Sequence, residues 1–307
     1  MVSCRTRALS VVVFCAMFSI CRFGYSQSSL FELKVSNDKF VFQDKYFTSG
    51  LLLTFRTPVA NTFLFKKKEN NRLQLNLQLG QETYTPSNLW SYNTSDFDRP
   101  YAGWLFTSAE IGKITSNAAY FLGLETGVTG KASFAGQLQT AFHQFLSIMQ
   151  PTWQDEIADK WLVNLKGKMV LNEDLNPWLS FHNNLSAALG SKDIFLQNQV
   201  GFSFGKFNTF QNSYRLQVFS NGQQNEYFGF IGFGYRYVLL NALIQGSAFG
   251  AKDAFTSVAE PHVVSSQVAF VTKVQRYVFK LEFQYNSKET PQSTHHVFGA
   301  LTVGFFL

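Results

Sequence analysis

Apolar and polar side chains alternate with a period of two along most of the chain after residue 27. The pattern is clearest in four segments, near residues 72–80, 161–171, 226–237 and 276–286. Successive side chains of a β-strand point to opposite faces, so each segment predicts a strand with one apolar and one mostly polar face. No apolar run after residue 27 reaches the roughly 18 to 20 residues that a membrane-spanning helix needs. The sequence therefore predicts an all-β fold.

Strand length and aromatic placement favour a transmembrane antiparallel β-barrel over a secreted β-sandwich, which would alternate in the same way. Many segments are about ten residues long, which suits a tilted strand that crosses a bilayer. Aromatic residues gather near segment ends, as in the interfacial girdles of outer-membrane barrels. They are Trp90, Tyr92, Tyr101, Trp104, Trp153, Trp161, Trp178, Tyr235 and Tyr237. The segment His296–Leu307 alternates throughout and is typical of a closing barrel strand.

Twelve candidate strands can be placed along the chain, an even number, as bacterial barrels require. They lie near 29–38, 48–57, 72–80, 101–112, 117–128, 161–171, 177–188, 194–204, 226–249, 264–275, 276–286 and 295–307. A strand at 213–220, or two strands within 226–249, would raise the number to fourteen. The sequence shows no internal repeat, linker or low-complexity tract, so residues 27–307 are expected to form one barrel domain.

Residues 1–26 have the three-part pattern of a secretory signal peptide. Arg5 and Arg7 precede an apolar stretch, Ala8–Cys21, which is too short to span a membrane. Small residues at positions 24 and 26 then favour cleavage before Gln27. A lipoprotein beginning at Cys21 is disfavoured because Ile20 is bulky for that cleavage. All three cysteines lie before residue 27, so the processed chain is expected to lack disulfides, thiol nucleophiles and thiolate metal sites.

The charge of the processed chain gives no support to nucleic-acid binding. Charged residues make up only 15% of the sequence, whose formal net charge is +6. Removal of Arg5, Arg7 and Arg22 with the predicted signal leaves an excess of +3. A nucleic-acid-binding domain would be expected to show a clustered basic face. We expect instead a monomer in the outer membrane of a Gram-negative bacterial cell.

Three pairs of motifs carry a resemblance to a known family. The first is S-N-D-K-F (36–40) with D-K-Y-F-T-S-G (44–50), and the second is Y-T-P-S (84–87) with F-D-R-P-Y-A-G-W (97–104). The third is G-Q-L-Q-T-A-F-H (136–143) with P-T-W-Q-D-E-I (151–157). In this order and spacing they resemble the outer-membrane lipid A 3-O-deacylase family, and the match runs to about residue 171.

The resemblance implies a twelve-stranded barrel that removes the 3-linked acyloxyacyl group of lipid A with the help of a divalent cation, usually Ca²⁺. It places the family's site residues on Asn37, Asp38, Thr48, Gln139 and His143. A lysine of the family, in the loop after its second motif, has no counterpart here, and the matching place lies near Ser91. Lipid A, as part of lipopolysaccharide, is the implied substrate.

The residue types suit ester hydrolysis, which needs a base to activate water and positive charge where the oxyanion forms. His143 suits the base because imidazole titrates near neutral pH. Gln139 precedes it by four residues, so a short helix within 137–149 would place both side chains on one face. Asp38 is the expected ligand of the hard cation, which would polarise the ester carbonyl. Asn37 is the candidate oxyanion donor, and Thr48 could bind water, metal or substrate.

Asn37 and Asp38 are adjacent, so an ideal strand would point them to opposite faces. Both can serve one site only if the strand ends or bulges there. On residue type alone, Asn37 and Asp38 would also suit a strand-end turn, and His143 a loop histidine that bonds the backbone.

Three alternatives remain at this point. A porin would need an open polar lumen, and twelve strands leave only a narrow one. A structural relative could keep the barrel and lack the site. A barrel phospholipase would need a placed serine. The segment Gly201–Gly205 matches G-x-S-x-G, but that motif requires a turn from strand into helix, and no helix signal follows. We therefore interpret this match as coincidental.

Overall fold

The computed structural model describes residues 29–215, 224–247, 250 and 252–307. The predicted signal peptide and residues 216–220 of the possible extra strand lie outside this part of the chain.

Twelve antiparallel strands form one closed barrel, which confirms the predicted fold and strand number. Each strand pairs with its neighbours in sequence, and β1 closes the barrel against β12. The strands are β1 (Leu30–Asn37), β2 (Tyr46–Pro58), β3 (Arg72–Thr85), β4 (Ala102–Ile114), β5 (Ala118–Thr129), β6 (Trp161–Asn176), β7 (Leu179–Gly190), β8 (Asp193–Lys206), β9 (Glu226–Asn241), β10 (His262–Val274), β11 (Tyr277–Asn286) and β12 (His296–Phe306).

The fourteen-strand alternative is wrong. The predicted strand 226–249 is one strand that ends at Asn241, where the Asn241 side chain caps a short helix (Ala242–Gln245). Residues 213–215 form no strand. The longer helix α1 (Ala135–Phe145) lies in the connection between β5 and β6, and Ala242–Gln245 is named α2. No helix in the described ranges combines the length and the apolar character needed to span a membrane.

The two ends of the barrel differ in the length of their connections. Leu30 and Phe306 lie at one end, which also carries the very short turns between β6 and β7 and between β10 and β11. That end also carries two longer connections, 59–71 and 207–225, whereas the opposite end carries the longest one, 130–160, together with 86–101 and 242–261. Outer-membrane barrels have short periplasmic turns and longer extracellular loops, so α1 lies at the extracellular end.

The outer surface carries an apolar belt with exposed aromatic residues at both of its edges. Trp161, Tyr235 and Tyr237 lie toward the extracellular end, and Trp178 lies at the periplasmic turn after β6. These four fit the predicted girdles. Three of the predicted girdle residues are instead wholly or partly buried: Tyr101, Trp104 and Trp153. Trp90 and Tyr92 lie in the extracellular loop 86–101.

Ion pairs and hydrogen bonds between facing strands fill the middle of the lumen. They include Lys34–Glu282 (2.8 Å), Lys166–Glu125 (2.9 Å) and Arg56–Glu32. Two internal cavities of about 230 and 310 Å³ remain between these groups. Buried charges are tolerated when they are paired in this way, so the lumen is a polar core.

Connecting segments fold into the barrel at each end. At the periplasmic end Phe210 packs against Ile114 and Phe121, and Tyr214 hydrogen-bonds Glu32 from within the barrel. At the extracellular end Ile157 and Leu243 pack on Trp104 of β4. These contacts bury apolar side chains inside both mouths. We conclude that the barrel is plugged by its own loops.

The plugged lumen predicts that the protein does not conduct ions. In planar bilayers at neutral pH we expect no stable channel openings. Replacing Tyr214 and Arg215 together by alanine should raise the leak, because Arg215 also anchors the plug to Asp174 at 2.6 Å. Steady porin-like conductance of the unaltered protein would contradict this description and favour the porin alternative.

Candidate active site

Small and polar residues occupy one register row on the outer wall of the barrel, at the extracellular end. Asn37 pairs with Ser49, Ser49 with Thr83, and Thr83 with Gly103. The neighbouring residues Ser36, Gly50 and Glu82 line the lumen, so the row itself points outward. Two residues further into the membrane the outward side chains include Val35, Leu51 and Leu105. The row therefore lies at the upper edge of the apolar belt.

Thr48 is the extra residue of a β-bulge in β2. The pairing of β2 with β3 shifts between Phe47 and Ser49, which leaves Thr48 without a partner in the ladder. The Thr48 hydroxyl donates to the Thr83 carbonyl at 3.3 Å, and the residue is almost fully buried. Bulges often re-aim side chains beside functional sites. In the described chain no side-chain hydrogen bond joins Thr48 to the other four predicted site residues.

Helix α1 lies against the outer wall over β3 and β4. The approach is close because Gly103 has no side chain. A Cβ atom at Gly103 would overlap the Ser133 hydroxyl and the Ala135 Cβ at the start of the helix. Thr83, beside Gly103 in the row, is only 1% exposed although it faces outward. The helix thus covers polar wall positions that would otherwise face lipid.

The buried face of α1 carries the two polar residues that the sequence singled out. Ala135, Gln139 and His143 follow one another at intervals of four residues, and all three are buried. The helix predicted within 137–149 is confirmed, with its observed bounds slightly earlier. Gln139 and His143 therefore lie in the space between the helix and the wall.

The hydrogen bond of His143 fixes its tautomer. Nδ1 lies 2.6 Å from the carbonyl oxygen of Met149, and a carbonyl can only accept. Nδ1 must therefore carry the proton, which leaves the lone pair on Nε2 when the ring is neutral. Nε2 lies 4.0 Å from Oδ2 of Asp44. This arrangement presents a free base nitrogen toward a carboxylate.

Asp44 is a site residue that sequence reasoning missed. Its carboxylate is held by Lys39, whose Nζ lies 2.6 Å from Oδ2. Both residues belong to the loop 38–45 between β1 and β2. Asp44 stands in the motif D-K-Y-F-T-S-G, but its approach to His143 depends on a contact between distant loops. Only the folded chain shows that contact.

Gln139 is oriented by an aromatic stack. Its Oε1 accepts from the indole N–H of Trp153 at 2.9 Å, and the Trp153 ring packs on Tyr101 with 5.1 Å between ring centroids. The amide nitrogen of Gln139 is buried and has no hydrogen-bond partner among the described residues. A buried donor without a partner costs about 1–3 kcal/mol. Gln139 therefore presents an unsatisfied donor to the space beside His143.

Strand β1 ends between the two residues of the predicted Asn-Asp pair. Asn37 is its last residue, and Asp38 begins a short 3-10 helix that runs to Val41. The condition set by the sequence, that the strand ends there, is therefore met. Asn37 Oδ1 accepts from the Lys39 backbone N–H at 2.7 Å, which leaves the amide NH₂ group to donate elsewhere.

Asp38 is a fully buried carboxyl group. Oδ2 accepts from the Lys45 backbone N–H at 2.6 Å, whereas Oδ1 is buried without a partner in the part of the chain that the structure describes. Burial raises the pKa of Asp38 to about 8, against the opposing effect of that hydrogen bond. Gln43, in the same loop, also has a buried side-chain oxygen without a partner.

These oxygens suit a hard cation, which prefers carboxylate and amide oxygen ligands. Within the described residues no group of three or more His, Cys, Asp or Glu side chains is placed to hold a metal. A cation at Asp38 would therefore take few side-chain ligands from the protein. Asp38, the predicted ligand, is suited to bind a cation because its buried Oδ1 atom has no partner among the described residues.

The position that matches the absent family lysine is filled by contacts between loops. The Ser91 hydroxyl donates to Asp96 at 2.7 Å, and the Ser91 carbonyl accepts from the Thr152 hydroxyl at 3.0 Å. This place joins the loop 86–101 to the segment that carries Trp153. It provides no positive charge.

Comparison with known families identifies the chain. A family model described as "Outer membrane protein LpxR" matches residues 9–307. The chain belongs to the LpxR family. This confirms the resemblance drawn from the three motif pairs and the outer-membrane location, and it places the chain among outer-membrane lipid A deacylases.

A solved structure agrees with this family at the level of the fold. LpxR from Salmonella typhimurium superposes with a TM-score of 0.74 at 21% identity, over 91% of this chain and 100% of that one. The translocator domain of the autotransporter NalP from Neisseria meningitidis gives 0.43 at 10% identity, over 98% and 95%. The KdgM porin gives 0.40 at 9% identity, over 90% and 98%. No curated protein sequence matches the chain.

The G-x-S-x-G match lies apart from the LpxR-family site. Ser203 Oγ lies 2.8 Å from Nε2 of His182, and both side chains are buried inside the barrel near its periplasmic end. His182 Nδ1 has no partner, so no carboxylate orients the ring. A serine-hydrolase triad requires that third group. The pair is a hydrogen bond inside the lumen of the barrel.

Gly103 provides a direct test of the close packing of α1 on the wall. Gly103→Ala should displace the helix and lower lipid A deacylation by about a hundredfold, because a shift near 1 Å can cost that much. Gly167→Ala is the matched control, since a Cβ there would have no atom within 4 Å. Acyl release would be measured by mass spectrometry on variants whose folding is checked by heat-dependent gel mobility. Equal activity of the two variants would contradict the packing argument.

Proposed function

We propose that this LpxR-family chain hydrolyses the ester that links an acyl or acyloxyacyl group to the 3-position of lipid A. The observation that carries the proposal is the free Nε2 of His143, held between the barrel wall and α1 by the Met149 carbonyl. A base at this position faces a substrate whose acyl chains remain in the membrane.

His143 acts as the general base for a water molecule. The 4.0 Å between His143 Nε2 and Asp44 Oδ2 suits a water that donates one hydrogen to each. Nε2 takes one proton, and the water oxygen forms a bond to the ester carbonyl carbon. The ester C–O bond then breaks, and the imidazolium returns the proton to the departing sugar oxygen. The products are a free fatty acid and lipid A with one free hydroxyl.

Two neutral donors are suited to the developing oxyanion. Asn37 keeps its amide NH₂ free because its oxygen is used by Lys39, and the Gln139 amide nitrogen is buried without a partner. Donors oriented in advance stabilise the charge of the tetrahedral intermediate without reorganising. Thr48 supports the wall beside them through its bond to Thr83.

Asp38 is the proposed ligand of a divalent cation, with Ca²⁺ as the preferred ion. Its Oδ1 atom is buried without a hydrogen-bond partner among the described residues, which leaves this oxygen available to a cation. When bound, the cation would polarise the ester carbonyl and add positive charge beside the oxyanion donors. Gln43 offers a second oxygen in the same loop.

Mass spectrometry of lipid A tests the proposal. Membranes with and without the expressed protein would be compared, with Ca²⁺ or with a chelator. We expect the loss of one acyl or acyloxyacyl mass that depends on both protein and cation. His143→Ala should abolish the loss, whereas Ser203→Ala should not change it, because Ser203 lies inside the barrel.

Unchanged activity of His143→Ala would overturn the assignment of the base. An unchanged lipid A spectrum from correctly folded protein would overturn the proposed reaction. The position near Ser91, where the family has a lysine, would then be the first to restore.

Asp44 is proposed as a positioning residue for the water. Asp44→Asn should lower kcat by about ten- to a hundredfold, because the general base then acts on a less well held water. KM should change little, and Asp44→Glu should restore part of kcat. Asp96→Asn serves as the control. Asp96 lies in the loop 86–101, and its carboxylate accepts a hydrogen bond from Ser91 of the same loop. A loss that appears in KM alone would contradict this role.

A further inference from the structure

Helix α1 has three different faces. One face, with Gln139 and His143, is buried against the barrel wall. A second carries Leu138, Phe142 and Phe145, which are exposed and lie at intervals of four and three residues. The third is polar and includes Gln137 and Gln144, which are also exposed. An isolated soluble helix would not expose its large apolar side chains in one stripe while it buries its polar ones.

The exposed apolar surface continues beyond the helix. All residues from 144 to 150 are exposed, and four of them are large and apolar: Phe145, Leu146, Ile148 and Met149. Phe145 is 84% exposed and Met149 is 67% exposed. Across the site, Phe42 in the loop 38–45 is 98% exposed. A patch of this size on a protein surface marks a binding surface for another apolar phase.

The position of α1 indicates that this apolar phase is the hydrocarbon of the membrane. The helix rests on the outer wall at the upper edge of the apolar belt, where Val35, Leu51 and Leu105 face outward immediately below the covered row. The β3 member of that lower row, Gln81, is polar, but it is buried and donates to the Thr83 hydroxyl at 3.1 Å. An amphipathic helix in this position lies in the plane of the interface with its apolar side in the acyl region. Its polar stripe then faces the aqueous side.

We propose that Leu138, Phe142 and Phe145, together with the segment 146–149, insert into the acyl chains of the outer leaflet. The occupant of the patch is membrane hydrocarbon, because the patch is continuous with the lipid-facing belt of an outer-membrane barrel. The site between α1 and the wall therefore opens sideways to the leaflet. This inference rests on location and exposure and does not depend on the proposed reaction.

Insertion can be measured without any activity assay. Residues 27–307 contain no cysteine, so single variants label at one position once the predicted signal is removed. Phe145→Cys and Gln144→Cys are a matched pair, since both are exposed neighbours on different faces of one helix. Each would carry a bimane group and be reconstituted in phosphatidylcholine vesicles with and without lipids brominated on the acyl chains.

We expect brominated lipids to quench the label at position 145 by about half or more and to quench position 144 much less, because consecutive residues are turned by about 100° around the helix axis. Leu138→Cys should behave like Phe145→Cys. Weak and equal quenching at 144 and 145 would overturn the proposal. Heat-dependent gel mobility shows that each labelled barrel is folded.

A second measurement tests whether the substrate reaches the site from the membrane. In the variant Leu138→Ser with Phe145→Ser, the ratio of deacylation rates on vesicle-bound and detergent-dispersed lipid A should fall by on the order of tenfold, because interfacial contact is lost. An unchanged ratio with measurable activity would overturn the sideways route. Absence of activity in the unaltered protein on both substrates would instead count against the proposed reaction, and the quenching result would still decide insertion.

Discussion

The site depends on one constraint: a barrel wall in contact with lipid cannot leave polar groups uncovered. The outward row Asn37–Ser49–Thr83–Gly103 breaks the apolar pattern of strands whose other outward residues largely satisfy it. Helix α1 covers the part of the row that lies on β3 and β4, and Gly103 allows the start of the helix to approach the wall there. The covered row and the covering helix therefore form a single structural unit, and a change in one affects the other.

This unit explains why a short helix buries its polar residues. Against an ordinary wall, α1 would bury leucines and phenylalanines. Against a polar row it buries Gln139 and His143 and leaves its apolar side chains outside. The same arrangement leaves Gln139 with an unsatisfied donor and Asp38 with an unsatisfied acceptor near the extracellular rim. Such groups reduce stability, and they are typical of sites that bind a ligand or stabilise a transition state.

The alternation predicted the strands well because the rule of two residues per repeat is strict for a wall with lipid on one side. It placed the closing strand. The helix that carries His143 was predicted from the four-residue spacing of Gln139 and His143, and the motif resemblance supplied the five candidate site residues. The alternation predicted a strand that continues to residue 249, whereas β9 ends at Asn241. The reason is that Leu239, Leu240 and Leu243 continue the apolar pattern past the start of α2. The sequence also placed Tyr101 and Trp104 in the girdles. An aromatic residue near a strand end does not by itself show whether its side chain faces the lipid or the interior of the barrel. Asp44, Met149 and Trp153 could not be assigned, since their roles arise from contacts between separate loops.

The Met149 carbonyl connects the exposed apolar segment after α1 to His143. His143 owes its tautomer to that carbonyl, which belongs to a segment whose side chains are nearly all exposed and mostly apolar. Backbone hydrogen bonds hold the start of this segment to the helix end, including one from the Ile148 N–H to the His143 carbonyl at 3.0 Å. The position of its exposed apolar side chains depends instead on the phase that receives Ile148 and Met149. If that phase is the leaflet, as we propose, its hydrocarbon anchors these side chains and thereby steadies the carbonyl that accepts from Nδ1 of His143.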